Sequence, residues 1–215
     1  MQDAPPAADA PSLSAPLEPF RDGDEAALLE LEALASEPYL SFVYGELERA
    51  RRVDRALLEQ RVAEFAPPHC AFLRDSKGSA TGLLVALSKA DLSRRRLESA
   101  LVLSRLKLVD AETTRRLSLA GRALLRPADG DYYLSRIAVL PGREGKGDGA
   151  TLMRQLFERA RASEARRIVL EVSPRHERAM ALYRRFGFES VTLATVADPL
   201  SGRELAYHHM VCSCA

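Results

Sequence analysis

Two hydrophobic rhythms alternate along this chain, and together they predict a mixed α/β layer architecture. Short apolar or alternating runs at residues 17–20, 70–74, 81–87, 131–140, 167–172, 190–196 and 204–212 read as strands. The second and third are joined by a turn at Asp75-Ser76-Lys77-Gly78, and the last two form a hairpin through Asp198-Pro199-Leu200-Ser201-Gly202. Helical spacing covers residues 25–35, with Leu28, Leu31 and Leu34 on one face and Asp22 or Asp24 as the cap. A second helix is predicted over about 45–65, stopped by Pro67-Pro68. Residues 88–126 carry two further stripes, Leu97, Leu101, Leu108 and then Leu117, Ala120, Leu124. They predict a helical pair whose leucines pack on the sheet. Residues 1–16 are rich in Ala, Pro, Asp and Ser and read as a disordered tail, leaving one domain over 17–215.

The stretch from Leu134 to Ala160 is the most specific. Leu134, Ile137, Ala138, Val139 and Leu140 make a buried strand that ends at Pro141-Gly142. Gly145, Gly147 and Gly149 then alternate with Lys146 and Asp148, and a helix follows with Leu152, Leu156 and Ala160 on one stripe and Met153 and Phe157 beside it. A helix start offers unpaired backbone N–H groups at a positive dipole end, and glycines let an anion approach without a Cβ in the way. An anion, read here as a diphosphate, therefore belongs at residues 145–150. A P-loop is excluded because no Ser or Thr follows the lysine, and a dinucleotide fingerprint because the loop reads G-x-G-x-G and lies late in the chain.

This arrangement resembles the GNAT superfamily of acyl-CoA N-acyltransferases, whose loop reads V-x-P-x-x-[R/Q]-x-x-G-x-[G/A]. Here it runs Val139-Leu140-Pro141-Gly142-Arg143-Glu144-Gly145-Lys146-Gly147-Asp148-Gly149. A second segment, Leu170-Glu171-Val172 followed by His176 to Phe188, is similar to the family's L-E-V and N-x-x-A-x-x-L-Y-x-x-x-G-F. The two motifs and their strands cover residues 131–191. Glu144, Asp148 and His176 depart from the pattern, the two acids by setting negative charge beside a bound anion. Arg143 and Lys146 offset it.

The resemblance implies a mostly antiparallel sheet with helices on both faces. Its strands would splay at the acyl-CoA site, and residues 88–126 would form an insertion between the third and fourth strands. It implies acetyl-CoA as donor, held by Ile137, Ala138, Val139, Arg143, Glu144, Gly145, Lys146, Gly147, Asp148, Gly149, Ala150, His176 and Tyr183. The acceptor would be a small-molecule or peptide primary amine, attacked in a ternary complex. Tyr183 is the candidate acid: a phenol near pKa 10 can protonate a thiolate as it leaves. Glu171 is the candidate base, a carboxylate in a strand that should be buried. Ser135 and Arg136 are expected to face the acceptor. The alternative is a degenerate fold that binds CoA or a protein without catalysis.

Composition adds exclusions. The net charge of +1 argues against nucleic acid. No apolar run approaches the ~20 residues that span a bilayer, and the first residues lack a signal peptide's basic start and apolar core, so a cytoplasmic protein without a membrane partner is expected. Cys70, Cys212 and Cys214 read as free thiols. Cys212 and Cys214 with His208 and His209 lie on one alternating strand, a poor metal clip, so no metal is expected. Four lysines among 31 basic residues suggest a GC-rich bacterial source. A homodimer stays open. The ten basic residues of 88–126 read either as solvated staples of a helical pair or as a lid or acidic-partner surface.

Overall fold

The computed structural model describes residues 16–143 and 145–214, so all but one residue of the expected tail, and Glu144, lie outside the described residues. Strands β1 (Glu18–Pro19), β2 (Cys70–Arg74), β3 (Ala80–Ser88), β4 (Asp131–Val139), β5 (Arg167–Val172), β6 (Glu189–Ala197) and β7 (Glu204–Ser213) form one sheet in the order β1-β2-β3-β4-β5-β7-β6. Every neighbouring pair is antiparallel except β4 and β5. The helices are α1 (Glu25–Ser36), α2 (Tyr39–Tyr44), α3 (Leu47–Glu59), α4 (Lys89–Arg105), α5 (Ala111–Ala123), α6 (Asp148–Ala162) and α7 (Glu177–Arg185). Both α4 and α5 lie between the third and fourth strands, as the sequence predicts.

The period of two along β3 builds two cores. Leu83, Val85 and Leu87 join the cluster that holds Leu28, Leu31 and Phe42, while Leu84 and Ala86 join Leu152, Met153 and Leu156 of α6. Each fully buried leucine contributes about 1.5–3 kcal/mol. Helices α1 to α5 therefore cover one face and α6 and α7 the other.

Two irregularities shape the centre of the sheet. Arg136 pairs with Val85 but Leu134 pairs with Ala86, so Ser135 is the extra residue of a β-bulge. Just beyond it, β4 and β5 part. Their parallel register runs only from Asp131, Tyr132 and Tyr133 to Arg167, Ile168 and Val169, while β5 stays paired with β7 to Val172. The edge of β4 from Leu134 to Val139 thus has no β5 partner, which is the expected splay.

Several local expectations are corrected. The helix predicted over 45–65 is shorter, α3, and a further helix that the sequence pattern does not predict, α2, precedes it. Gly45 at φ +83° separates α2 from α3, and Arg61 at φ +55° lies in the turn beyond α3, before the prolines. Asp24 sits at the N-cap of α1 without a side-chain cap bond; its carboxylate takes Arg74 Nη1 at 2.9 Å and Nη2 at 2.6 Å instead. On α4 the stripe turned inward is Leu92, Val102 and Leu103, and Leu97 and Leu101 are exposed. Polar bonds on the inward side account for the rotation: Arg95 Nη1 to Arg61 O at 2.8 Å, Arg96 Nε to Glu64 Oε1 at 2.8 Å, and Ser99 Oγ to Val62 O at 3.2 Å. No described helix is long and apolar enough to cross a membrane.

Candidate active site

The donor-side loop is built from backbone. Gly142, Gly145 and Gly147 have φ of +82°, +75° and +89°, and a Cβ placed on any of them would meet open space. Gly147 caps α6 without a side-chain bond, and the first helical hydrogen bond runs from Thr151 N–H to Gly147 O at 2.9 Å. The N–H groups of Asp148, Gly149 and Ala150 therefore stand at the helix start with no acceptor in the helix. Gly149 serves packing, since a Cβ there would lie 3.2 Å from Leu182 Cδ2 on α7. The negative charge feared at Asp148 is met inside the loop: Arg143 Nε donates to Asp148 Oδ2 at 2.5 Å, which also raises the Arg143 pKa. Arg143 is thus engaged by Asp148, while Lys146 lies exposed. These residues fit a diphosphate. His176 stands at the cap position of α7 without a cap bond from its side chain, and burial lowers its pKa.

The opposite face is built from side chains. The bulge lets Ser135 and Arg136, adjacent in sequence, both point to the α1–α5 side. Ser135 Oγ donates to Glu64 Oε2 at 2.6 Å, and Arg136 Nε to Glu32 Oε1 at 3.2 Å. Arg96 lies over the Tyr133 ring at 5.7 Å, and Tyr133 Oη donates to Glu171 Oε1 at 2.8 Å. Glu171 Oε2 is buried with no partner. Burial pushes the Glu171 pKa up to about 7, against the lowering effect of the Tyr133 bond. A cavity of about 90 Å³ lies against Glu171, Tyr133, Tyr207 and Ser135. Sequence reading missed Glu32, Asp54, Glu64, Arg96, Tyr133 and Tyr207, which come from five separate elements and a loop and carry no local motif. Unusual burial of polar residue types on apolar helix faces was the only available signal.

The two catalytic candidates lie on opposite faces of the sheet at the splay. Glu171 projects with Val169 toward Tyr133 and Tyr207, whereas Tyr183 belongs to the apolar cluster of Leu134, Leu170 and Val172. Tyr183 is 5% exposed and its ring lies 5.8 Å from that of Phe188; burial alone raises its pKa, keeping the phenol protonated. The structure thus puts Glu171 on the α1–α5 face and Tyr183 in the apolar cluster on the other face, with no hydrogen bond between them. His208 and His209 serve elsewhere, through Ser190 Oγ at 2.9 Å and Ala123 O at 2.7 Å. Among the described residues no group of three His, Cys, Asp or Glu side chains converges as metal ligands.

Most of the basic residues in 88–126 are staples. Arg115 reaches Asp198 at 2.6 and 2.9 Å and Arg116 reaches it at 3.2 Å, which ties α5 to the β6–β7 turn. Arg94, Arg95, Arg96, Arg105 and Lys89 likewise bond within the fold.

Known proteins with these features are acetyltransferases. A family model described as the acetyltransferase (GNAT) family matches residues 88–188, taking in both inserted helices, the loop and α7. An uncharacterised N-acetyltransferase of Mycobacterium tuberculosis is 36% identical over 66 residues, which is 31% of this chain and 42% of that protein. The match thus spans less than half the length of that relative. Among solved structures, an N-acetyltransferase from Staphylococcus aureus aligns with a TM-score of 0.68 at 16% identity, over 92% of this chain and all of that one. A phosphinothricin acetyltransferase from Sinorhizobium meliloti, solved with AcCoA, aligns with a TM-score of 0.54 at 17% identity, over 94% of this chain and 89% of that one.

Proposed function

We propose that this chain, whose residues 88–188 match the acetyltransferase (GNAT) family model, transfers an acetyl group from acetyl-CoA to a primary amine by direct attack. The observation that carries the reading is the opening between β4 and β5 with the partnerless carboxylate oxygen of Glu171 on one face. The donor, when bound, supplies an acyl carbon already activated as a thioester. The N–H groups of residues 148–150, with Lys146, hold the diphosphate, and Ile137 and Val139 on the free edge of β4 offer backbone partners to the rest of the donor, while Ala138 is bonded to β3. Backbone N–H groups there are also fixed dipoles able to polarise a carbonyl.

Glu171 accepts the proton that the amine loses as its nitrogen bonds to the acyl carbon. Its raised pKa suits a base working near neutrality. Tyr133 fixes one carboxylate oxygen and leaves the other free for that proton. Tyr183 protonates the sulfur as the carbon–sulfur bond breaks, and is recharged from solvent. Calorimetric titration with acetyl-CoA, with CoA and ATP as comparisons, tests the donor side, and thiol release in the presence of amines tests the reaction. Micromolar binding specific to CoA species with amine-dependent thiol release is the expected result. Absent binding would leave the alternative of a degenerate fold.

A further inference from the structure

The cavity beside Glu171 adjoins a larger one of about 370 Å³ that reaches Glu32 and Asp54; the two share Tyr39, Glu64, Arg96, Leu124 and Arg136 as lining. The charges along this space do not balance. Glu64 takes Arg96 at 2.8 Å, Ser135 at 2.6 Å and lies 3.9 Å from Arg136. Glu32 Oε1 takes Arg136 Nε and, at 2.5 Å, Ser36 Oγ. That leaves Asp54 and Glu171 with no guanidinium of their own, while Arg126, the third arginine lining the space, is exposed.

The far end is the unusual part. The Glu32 side chain is 2% exposed, yet its Oε2 has no hydrogen-bond donor apart from a protonated Asp54. Next to it stands Asp54, 6% exposed, whose carboxyl is held well above the usual carboxylate range by burial and by the Glu32 charge. Two carboxyls facing each other in an apolar wall require a proton or a cation between them. The walls here are Leu40, Leu57, Leu103 and Leu117, suited to a methylene chain, and the rings of Tyr39 and Tyr44 line the same space, suited to an ammonium.

Resting on the acyl-transfer reading, we propose that the acceptor is a linear diamine or polyamine: its second ammonium lies between Glu32 and Asp54 while its free amine stands at Glu171. The bound ammonium takes the place of the proton that now separates the two carboxyls. An acceptor carrying a carboxylate would meet like charge at this end, and a monoamine would leave the proton shared by Glu32 and Asp54 in place.

The test compares 1,4-diaminobutane, 1,5-diaminopentane and spermidine with n-butylamine and n-pentylamine, by thiol release from acetyl-CoA with the full chain. The kcat/KM for a diamine should exceed that for the monoamine of equal carbon count by about 10- to 100-fold, the range of a buried hydrogen bond to a charged group. Glu32→Gln and Asp54→Asn should each raise KM for the diamine by about 10-fold or more, with a smaller rise for the monoamine. Equal kcat/KM for diamines and monoamines would overturn the proposal, as would equal losses for both substrates in the variants. Should neither variant fold, the wild-type ratio decides alone. Calorimetry with 1,5-diaminopentane and no acetyl-CoA separates this inference from the reaction. Binding of the diamine but not of n-pentylamine, without thiol release, would uphold the cation site and sink acetyl transfer; binding of neither would sink the cation site.

Discussion

Under the proposed function, the two faces of the sheet solve binding by different means. On the α6–α7 face, recognition rests on backbone: three glycines at positive φ and the open start of α6, above a core of Leu152, Met153 and Leu156. On the α1–α5 face it rests on side chains, a buried web of Glu32, Asp54, Glu64, Arg96, Arg136 and Glu171 joined across as many as 104 positions of sequence. A backbone site tolerates changes of side chain around it as long as the φ values survive. A side-chain site fails when one partner is lost, because the remaining charges are buried unpaired.

That contrast can be broken most sharply at Gly147. Gly147→Glu puts a side chain at φ +89° and a negative charge at the helix start, and should abolish acetyl-CoA binding in calorimetry while amine binding persists. Glu171→Gln is the counterpart on the other face. It should lower kcat by about 100- to 1000-fold, within the range of a lost general base, with the affinity for acetyl-CoA kept. The same variant sharpens the electrostatics. The pKa of Glu171 is raised to about 7 in the folded chain, so the protonated form is favoured there and stability falls as pH rises from the usual carboxylate range through 7. At pH 8, Glu171→Gln should therefore raise the thermal midpoint, and the wild-type rise of kcat/KM through pH 7 should flatten. Tyr183→Phe should cost less, about 10- to 100-fold in kcat with KM unmoved, because water can protonate a thiolate. The smallest effect belongs to Asp198→Asn. By loosening the three bonds that Arg115 and Arg116 make, it should speed hydrogen exchange along α5 and raise acceptor KM, leaving acetyl-CoA affinity as it was.

The same contrast explains what could be read from sequence. The strands at 70–74 and 167–172, the hairpin and the glycine loop were legible because each is specified by its own residues: alternation, turn chemistry and glycine spacing. Six-residue α2 was not, since Tyr39–Tyr44 is apolar on most sides and shows no period. The inward side of α4 was misread because leucine spacing alone cannot foresee that Arg96 would be drawn to Glu64, 32 positions away. Of the site, Glu171 and Tyr183 came from the motifs, and Ser135 and Arg136 from their strand. Glu32, Asp54 and Tyr133 act only through partners that the fold supplies.

The extra residue in β4 makes the chemistry of the site a matter of counting. Before the bulge, odd-numbered Tyr133 and Ser135 look toward the carboxylates; after it, even-numbered Arg136 and Ala138 do. Removing Ser135 would let β4 run as a regular strand from Leu134 to Arg136, with Arg136 and Ala138 still toward the polar cavity and the Ser135–Glu64 bond lost. The extra residue thus adds a second polar side chain beside Arg136 on one face and leaves the facing of the residues after it unchanged. Relatives without the extra residue should keep the facing of β4 and lose one anchor of Glu64.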